Sequence, residues 1–188
     1  GGITLAFKDY AGIKPLRYAL RCSKTALEAA NYRAFTALGF PMATLLFAGD
    51  DRRNFRLNRS FLATRFAEGY VDGREFLPGG SLRGTPEQKE FIDRNLVYVA
   101  GLHSIHCFHK AVRVFNFLWK PLGDGKIDIV WIDVASCRFL SVPGCVFRKY
   151  MVKDLAMFFR DLELPDEELR NALENYRKHN PNCALSGN

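Results

Sequence analysis

The sequence predicts an α+β fold in two parts, a small β-rich part over residues 1–72 and a mainly helical part over residues 73–188. Three observations support this prediction. The first 70 residues show the pattern strand, helix, strand, strand. A stretch rich in Gly and Pro follows, and helical apolar patterns around one short hairpin fill the remainder.

Length and composition agree with a folded, globular chain. The 188 residues suit one ordinary domain or two small lobes. Hydrophobic residues make up 48% of the chain, and 16 of the residues are Phe, which is far from a disordered composition. No apolar run approaches the roughly 20 residues of a membrane-spanning helix.

The net charge indicates which partners the chain could bind, and the cysteines indicate its cellular compartment. Lys and Arg outnumber Asp and Glu by 27 to 20, and the net charge of +7 favours an acidic partner. The basic residues are scattered and form no zinc finger, RNA-recognition motif or basic zipper, so we expect no nucleic acid partner. The five cysteines are widely spaced without a C-x-x-C pair, which predicts reduced thiols and a cytoplasmic protein.

The first predicted elements are a strand and a helix. Alternating apolar residues over 3–10 predict a strand with one face formed by Ile3, Leu5 and Phe7. Ser23 predicts the N-cap of a helix over 24–38 that ends at "GFP". The predicted apolar stripe of this helix consists of Leu27, Ala30, Ala34 and Leu38.

Two strands and a connection come next. "MATLLFAG" and "SFLATRFAEG" predict strands joined by the polar turn "DDRRN" at residues 50–54. The Gly- and Pro-rich segment 71–88 predicts a boundary or flexible connection.

The second part is predicted to be mainly helical. A helix is expected from Pro86, with one side formed by Ile92, Leu96, Val99 and His103. After the turn "GDG", residues 126–136 predict an apolar strand. "VKDLAMFFRDL" and "PDEELRNALENYRKH" predict two further helices. These amphipathic helices are expected to pack on the helical part, through Leu169, Ala172, Leu173 and Tyr176, rather than lie on a membrane.

The stretch "LHSIHCFHKAVRVFNFLW" (102–119) has the layout of a phosphotransferase catalytic loop. His109 and Asn116 are seven positions apart, as in H-R-D-L-x-x-x-N, and Asp133 follows 17 residues after Asn116 across a hairpin. A carboxylate and an amide oxygen are ligands that suit Mg²⁺ beside the phosphates of ATP. Asn116 and Asp133 are therefore the predicted metal ligands.

Phosphate transfer also needs a cation on the nucleotide and a base on the acceptor. Lys8 on the first strand could bind the phosphates if Glu28 on the following helix fixes its position. The base belongs at position 111, two residues after His109, and the chain has Ala111 there.

These segments together resemble the bacterial lipopolysaccharide kinases, the Kdo and heptose kinase family. The resemblance covers roughly residues 3–178, and "FNFLW" at the end of the catalytic loop is its most specific feature. It implies a protein-kinase-like, two-lobed fold with a truncated N-terminal β lobe. It also implies a cytoplasmic phosphotransferase, peripheral at the inner membrane, that uses ATP and Mg²⁺ on a sugar of the lipopolysaccharide core.

The resemblance assigns roles to individual residues. Lys8, Glu28, Asn116 and Asp133 take the roles described above, and His109 and Arg113 join Ala111 in the catalytic loop. The turn containing Phe66, Glu68 and Gly69 is implied to hold the adenine.

Two departures from the family leave three hypotheses. Ala111 replaces the catalytic aspartate, and the two strands and glycine-rich loop expected before the lysine strand are missing from this sequence. The chain is therefore a kinase with an engineered or recent Asp-to-Ala change, a natural pseudokinase, or a binding module with a kinase fold. In each case we expect this chain itself to be nearly inactive.

Two other kinds of site, a zinc site formed by histidines and a thiol nucleophile, agree less well with the sequence. His103, His106 and His109 could bind zinc only if their rings converge, and neither a Cys pair nor H-E-x-x-H accompanies them. A thiol nucleophile from Cys107, Cys137 or Cys145 beside His109 lacks a third group to position it.

Overall fold

The computed structural model describes residues 4–10, 18 and 21–180. It contains both helices and antiparallel strands, which confirms the predicted α+β class. In chain order they are β1 (Leu5–Asp9), α1 (Lys24–Ala37), β2 (Leu45–Arg53), β3 (Arg56–Arg65), β4 (Val71–Asp72), α2 (Pro86–Ser104), β5 (Cys107–Phe108), β6 (Phe117–Gly123), β7 (Lys126–Trp131), β8 (Arg138–Phe139), α3 (Gly144–Leu162) and α4 (Asp166–His179).

The chain forms two compact units. The first ends at Glu68 and also includes Val130–Ala135, and the second comprises Gly69–Ile129 and the chain from Ser136 onward. The predicted domain boundary between residues 72 and 73 stays a prediction.

The first unit contains an antiparallel sheet in the order β1-β3-β2 and the helix α1. Ser23 caps α1, as predicted, because its side chain accepts a 2.9 Å hydrogen bond from the backbone N–H of Ala26. Leu5 and Phe7 alternate along β1 and are exposed, and the Phe7 ring stacks on Phe61. Ile3, predicted to share their face, lies outside the described residues.

The predicted apolar stripe of α1 is wrong. Ala30 and Leu38 are exposed, and Leu27 and Ala34 are only half-buried. Two aromatic side chains take their place in the core, because they bury more apolar area than alanine does. The buried face of α1 contains Glu28, Ala29, Tyr32 and Phe35.

The predicted turn "DDRRN" is also wrong in position. Asp50 to Arg53 belong to β2, and the turn falls on Asn54 and Phe55, with φ of 47° and 65°. Asn tolerates this left-handed conformation, which two-residue hairpin turns require. The strand β2 lies at an edge of its sheet, where charged side chains are common because they discourage pairing with other chains.

The second unit begins with structure rather than with a bare linker. Within the predicted connection 71–88 lie β4 and a 3-10 turn over Gly73–Phe76. Phe76 is fully buried, with its ring 4.6 Å from Phe91 and 4.7 Å from Trp119 between centroids. A side chain at Gly73 would come within 2.5 Å of the Val114 carbonyl oxygen, so only glycine fits there.

The helices of the second unit largely follow the prediction. The predicted apolar stripe of α2 is buried, and so are Ala172 and Tyr176 on the inner side of α4. The helix α3 begins at Gly144, eight residues before the predicted start at 152. None of the helices in the described part of the chain combines the length and apolarity needed to cross a membrane.

Candidate active site

In the first unit, Lys8 lies between two carboxylates. Its Nζ is 2.7 Å from Glu28 Oε1 and 3.1 Å from Asp133 Oδ1. Glu28 is fully buried on α1, whereas the Asp133 side chain is 43% exposed. The structure therefore brings together three of the predicted site residues, from β1, α1 and the segment after β7.

The segment containing Asp133 is anchored within the first unit. Asn31 of α1 donates a 2.7 Å hydrogen bond to the Val134 carbonyl, and the N–H of Ala43 donates to the Trp131 carbonyl at 3.1 Å. Asp133 itself has a φ of 58°, in the left-handed region that few side chains adopt. Such backbone conformations concentrate at functional sites, where neighbouring contacts hold them in place.

Tyr10 is a fourth member of this cluster that the sequence reasoning missed. Its hydroxyl donates a 2.8 Å hydrogen bond to Glu28 Oε2, so both oxygens of this buried carboxylate have donors. Burial, and then the charge of Glu28, raises the pKa of Tyr10 well above its ordinary value of 10.0. Tyr10 follows Lys8 by two residues, the spacing that puts side chains on one side of a strand, and this spacing could have identified it.

Tyr10→Phe should destabilise the fold by about 1–3 kcal/mol, because it leaves Glu28 Oε2 buried without this donor. The contribution of Tyr10 should be complete below about pH 10 and should be lost as the pH rises further, since its folded-state pKa is raised. Urea unfolding as a function of pH measures both effects. The variant should therefore lose less stability than the native chain above about pH 10.

Tyr70→Phe is the matched control for this prediction. The Tyr70 hydroxyl donates a 2.5 Å hydrogen bond to Asp128 Oδ2, and burial raises its pKa to about 12. Both variants should lose stability, but only Tyr10→Phe should also weaken binding of Mg²⁺-ATP, which the sequence predicts for Lys8 and Asp133. Equal nucleotide binding by the two variants would exclude a role for Tyr10 in positioning Lys8 and Glu28.

The turn predicted to hold adenine lies next to the start of β1. The backbone N–H of Phe66 donates to the Thr4 carbonyl at 2.9 Å, and the Thr4 hydroxyl donates to Glu68 Oε1 at 3.2 Å. Gly69 has a φ of 77°, which suits a glycine at the end of this segment. Phe66 is exposed, and the role of these three residues in binding adenine stays a prediction.

In the second unit, Asp154 anchors the predicted catalytic loop. This fully buried side chain on α3 accepts 2.8 Å hydrogen bonds from the backbone N–H groups of His109 and Lys110, one on each carboxylate oxygen. Lys110 has a φ of 67°, so these bonds also stabilise an uncommon backbone conformation. The sequence reasoning missed Asp154, one of the two acids in a helix that is otherwise mostly basic and apolar.

A chain of buried polar groups continues from Asp154. Its Oδ2 is 3.2 Å from His103 Nε2, and His103 Nδ1 is 2.7 Å from the Tyr176 hydroxyl. Asn180 Nδ2 donates to the same hydroxyl at 2.5 Å. These contacts pair donors with acceptors when His103 donates from Nε2 to Asp154 and accepts at Nδ1 from the Tyr176 hydroxyl. The chain links the catalytic loop to α2, α3 and the end of α4.

The backbone of Ala111 is held on both sides. Its N–H donates to His109 Nδ1 at 3.3 Å, and its carbonyl accepts a 2.9 Å hydrogen bond from Asn116 Nδ2. This contact directs the amide nitrogen of Asn116 to the loop and leaves Oδ1 as the atom suited to a metal. Asn116 belongs to the second unit and Asp133 to the first, so their binding of one shared metal ion stays a prediction.

Arg113 is bound within its own unit. Its Nε donates a 2.6 Å hydrogen bond to Asp161 Oδ2, and its guanidinium carbon lies 4.8 Å from the centre of the Phe115 ring. These contacts hold the end of the loop on α3. A catalytic role for Arg113 stays a prediction.

The three histidines considered as zinc ligands, His103, His106 and His109, have different partners. The His103 ring lies between Tyr176 and Asp154, His106 stacks on Phe147, and His109 Nδ1 accepts from Ala111. Within residues 4–10, 18 and 21–180, no group of three or more His, Cys, Asp or Glu side chains is placed to hold a metal ion.

The burial of Cys107 argues against its role as a thiol nucleophile. Cys107 is buried, and this burial raises the pKa of its thiol to about 12. A thiol with this pKa stays protonated near neutral pH, whereas the thiolate is the nucleophile. Cys137 is likewise buried, and Cys145 is exposed on α3.

Comparisons with known proteins identify the family. The family model described as "Lipopolysaccharide kinase (Kdo/WaaP) family" matches residues 13–176. The solved structure "WaaP in complex with acyl carrier protein" matches with a TM-score of 0.65 and 19% identity, over 86% of this chain and 68% of that chain. No curated protein sequence gives a significant match.

A second solved structure is less similar. The "yeast RNA Pol II CTD kinase CTDK-1 complex" matches with a TM-score of 0.49 and 13% identity, over 74% of this chain and 41% of that chain, and it supports no further argument. The similarity to the WaaP structure confirms the predicted protein-kinase-like fold. Because the family model covers most of its length, the chain belongs to the lipopolysaccharide kinase (Kdo/WaaP) family.

Proposed function

We propose that this chain binds ATP with Mg²⁺ and represents a sugar kinase of the lipopolysaccharide core whose catalytic base is absent. The observation that supports this proposal best is the position of Lys8 between Glu28 and Asp133. A buried carboxylate that orients a lysine beside an exposed carboxylate is the arrangement that nucleotide phosphates and their metal ion require.

The donor groups suit magnesium. Asp133 offers a carboxylate and Asn116 an amide oxygen, and Mg²⁺ is commonly held by few protein oxygens together with phosphates and water. When bound, Mg²⁺ neutralises charge on the phosphates of ATP. The protein's part is to hold these ligands in place, through the contacts of Asn31 with Val134 and of Asn116 with Ala111.

The other residues divide into positioning and binding groups. Lys8 supplies positive charge for the nucleotide phosphates, and Glu28 and Tyr10 fix its position. Phe66, Glu68 and Gly69 form the proposed contact with adenine. His109 supports the catalytic loop by accepting a hydrogen bond from the backbone N–H of Ala111. Arg113 holds the end of this loop through its hydrogen bond to Asp161.

Ala111 limits what the chain can do by itself. A methyl group can neither orient an acceptor hydroxyl nor take up its proton, and losing a general base lowers rates by about 10²- to 10⁴-fold. This residue supports an alternative in which the chain is a pseudokinase or a binding module that keeps nucleotide affinity without transferring phosphate. Family membership supports a sugar of the lipopolysaccharide core as the acceptor and the cytoplasmic face of the inner membrane as the place.

Titration calorimetry with ATP, in the presence and absence of Mg²⁺, tests the proposal. We expect Mg²⁺ to strengthen ATP binding, and Asp133→Ala to remove this dependence on the metal. Asp51→Ala is the matched control, because it removes an exposed carboxylate from β2 of the same unit and should leave binding unchanged. Equal affinity for ATP with and without Mg²⁺ would overturn the assignment of Asp133 as a metal ligand.

A further inference from the structure

The two sides of α3 differ sharply in chemistry. The inner side is buried in the second unit and contains Phe147, Met151, Asp154, Phe158 and Leu162. The outer side is exposed and has bases at four positions, Arg148, Lys149, Lys153 and Arg160. Arg138 on the preceding strand β8 is exposed as well.

Acidic side chains do not offset this charge. Between residues 138 and 161 the chain has two acids, Asp154 and Asp161. Asp154 points inward to the catalytic loop and is fully buried, and the Asp161 side chain is 7% exposed and paired with Arg113. The exposed residues of α3 from Gly144 to Leu162 therefore include bases but no acid, and the exposed acid Glu163 follows at the end of the helix.

Exposed apolar side chains accompany these bases. Val152 is 58% exposed, Val146 is 38% exposed, and Phe139 on β8 is 51% exposed. At 100° per residue, Val152 projects between Arg148 and Lys149, with Cys145 and Ala156 beside it. We call the exposed residues Arg148, Lys149, Val152, Lys153 and Arg160 the α3 basic face.

We propose that the α3 basic face, together with Phe139, binds the surface of an anionic phospholipid membrane. Bases attract the lipid phosphates, and apolar side chains between them enter the boundary of the acyl chains. The exposed Val and Phe side chains would contribute nothing to the binding of a free phosphate, whereas they can enter a membrane, and the measurements below separate a membrane from an acidic protein. The inference rests on the membrane location given in the proposed function and assigns it to one surface, whose residues differ from the proposed nucleotide-binding residues; it holds whether or not the chain transfers phosphate.

The exposed charges of helix α4 can be compared with those of α3. The helix α4 is exposed on its outer side too, but its acids Glu167, Glu168 and Glu174 alternate with its bases Arg170, Arg177 and Lys178. A surface of mixed sign gains little from an anionic membrane. Binding through α3 should therefore depend on position and not only on the net charge of +7.

Co-sedimentation of the full chain with phosphatidylcholine vesicles, with and without phosphatidylglycerol, tests the proposal. We expect binding only to the anionic vesicles. Each Lys near an anionic surface contributes about fivefold in partitioning. Lys149→Gln/Lys153→Gln should thus lower the partition coefficient by about 25-fold, and the corresponding double Glu variant by more. Circular dichroism and thermal melts verify that both variants fold.

Arg170→Glu/Arg177→Glu changes the net charge as much as Lys149→Glu/Lys153→Glu does, but on α4, and should retain most of the binding. Val152→Ser keeps every charge and should reduce the binding that persists at high salt. An equal loss in the α3 and α4 charge variants would overturn the proposal, as would equal binding to neutral and anionic vesicles. Tighter binding to polyglutamate than to anionic vesicles would also overturn it and indicate an acidic protein partner.

Discussion

Ala111→Asp is expected to raise phosphate transfer from ATP to a lipopolysaccharide core sugar by about 10²-fold or more. The loop around this position is already held in place, by Asn116 on the Ala111 carbonyl and by His109 on its N–H. These contacts give a carboxylate introduced there a fixed backbone position. The carboxylate would orient the acceptor hydroxyl and take its proton as the oxygen attacks the γ-phosphate.

Transfer of labelled phosphate to dephosphorylated core oligosaccharide measures this gain. Ala111→Asn is the matched control, because it restores hydrogen bonding without basicity and should recover much less activity. Lys8→Met added to Ala111→Asp should return the rate to background. If Ala111→Asp binds ATP yet stays at background, the missing base is not what limits transfer, and the pseudokinase alternative gains support.

The sequence predicts best those structural features that depend on one local signal, such as a capping residue or a helical period. The helix α1 begins where Ser23 caps it, and α2 buries the stripe that its period predicts. Lys8 and Glu28 also meet as predicted, because a strand followed by a helix can place only a few side chains opposite each other. Their binding of ATP stays a prediction.

Tertiary contacts explain the errors. The buried face of α1 includes the charged Glu28, which hydrophobic periodicity alone cannot anticipate, because two donors from β1 and its end compensate its burial. The start of α3 was missed because Gly144, Cys145 and Val146 are weak helix formers, and packing of Phe147 rather than propensity extends the helix there. The strand predicted over 126–136 ends at Trp131, where the chain turns towards the left-handed Asp133.

Asp154 could not have been assigned from its sequence position alone. An acid in a helix is usually a solvated surface residue. Its partners are the backbone N–H groups of His109 and Lys110, 45 and 44 residues earlier in the chain. Only the folded structure shows that this carboxylate determines the shape of the catalytic loop.

Asp154→Ala should therefore lower the free energy of unfolding by about 2–6 kcal/mol, because it leaves two backbone donors without their acceptor at about 1–3 kcal/mol each. This loss is a large fraction of the roughly 5–15 kcal/mol that stabilises a typical domain. Urea unfolding measures the loss. Hydrogen exchange should also accelerate at the amides of His109 and Lys110, which a general weakening of α3 would not single out.

Asp161→Ala is the matched control for Asp154→Ala. Both remove a carboxylate from α3 that contacts the catalytic loop, but Asp161 binds the half-exposed side chain of Arg113 and no loop amide. Water can replace that partner, so we expect a loss of only about 1 kcal/mol. If the two variants lose equal stability with unchanged exchange at His109 and Lys110, Asp154 does not anchor the loop. A larger loss in Asp154→Ala, with exchange accelerated at those two amides, would establish that the buried carboxylate keeps the loop in shape independently of the base that position 111 lacks.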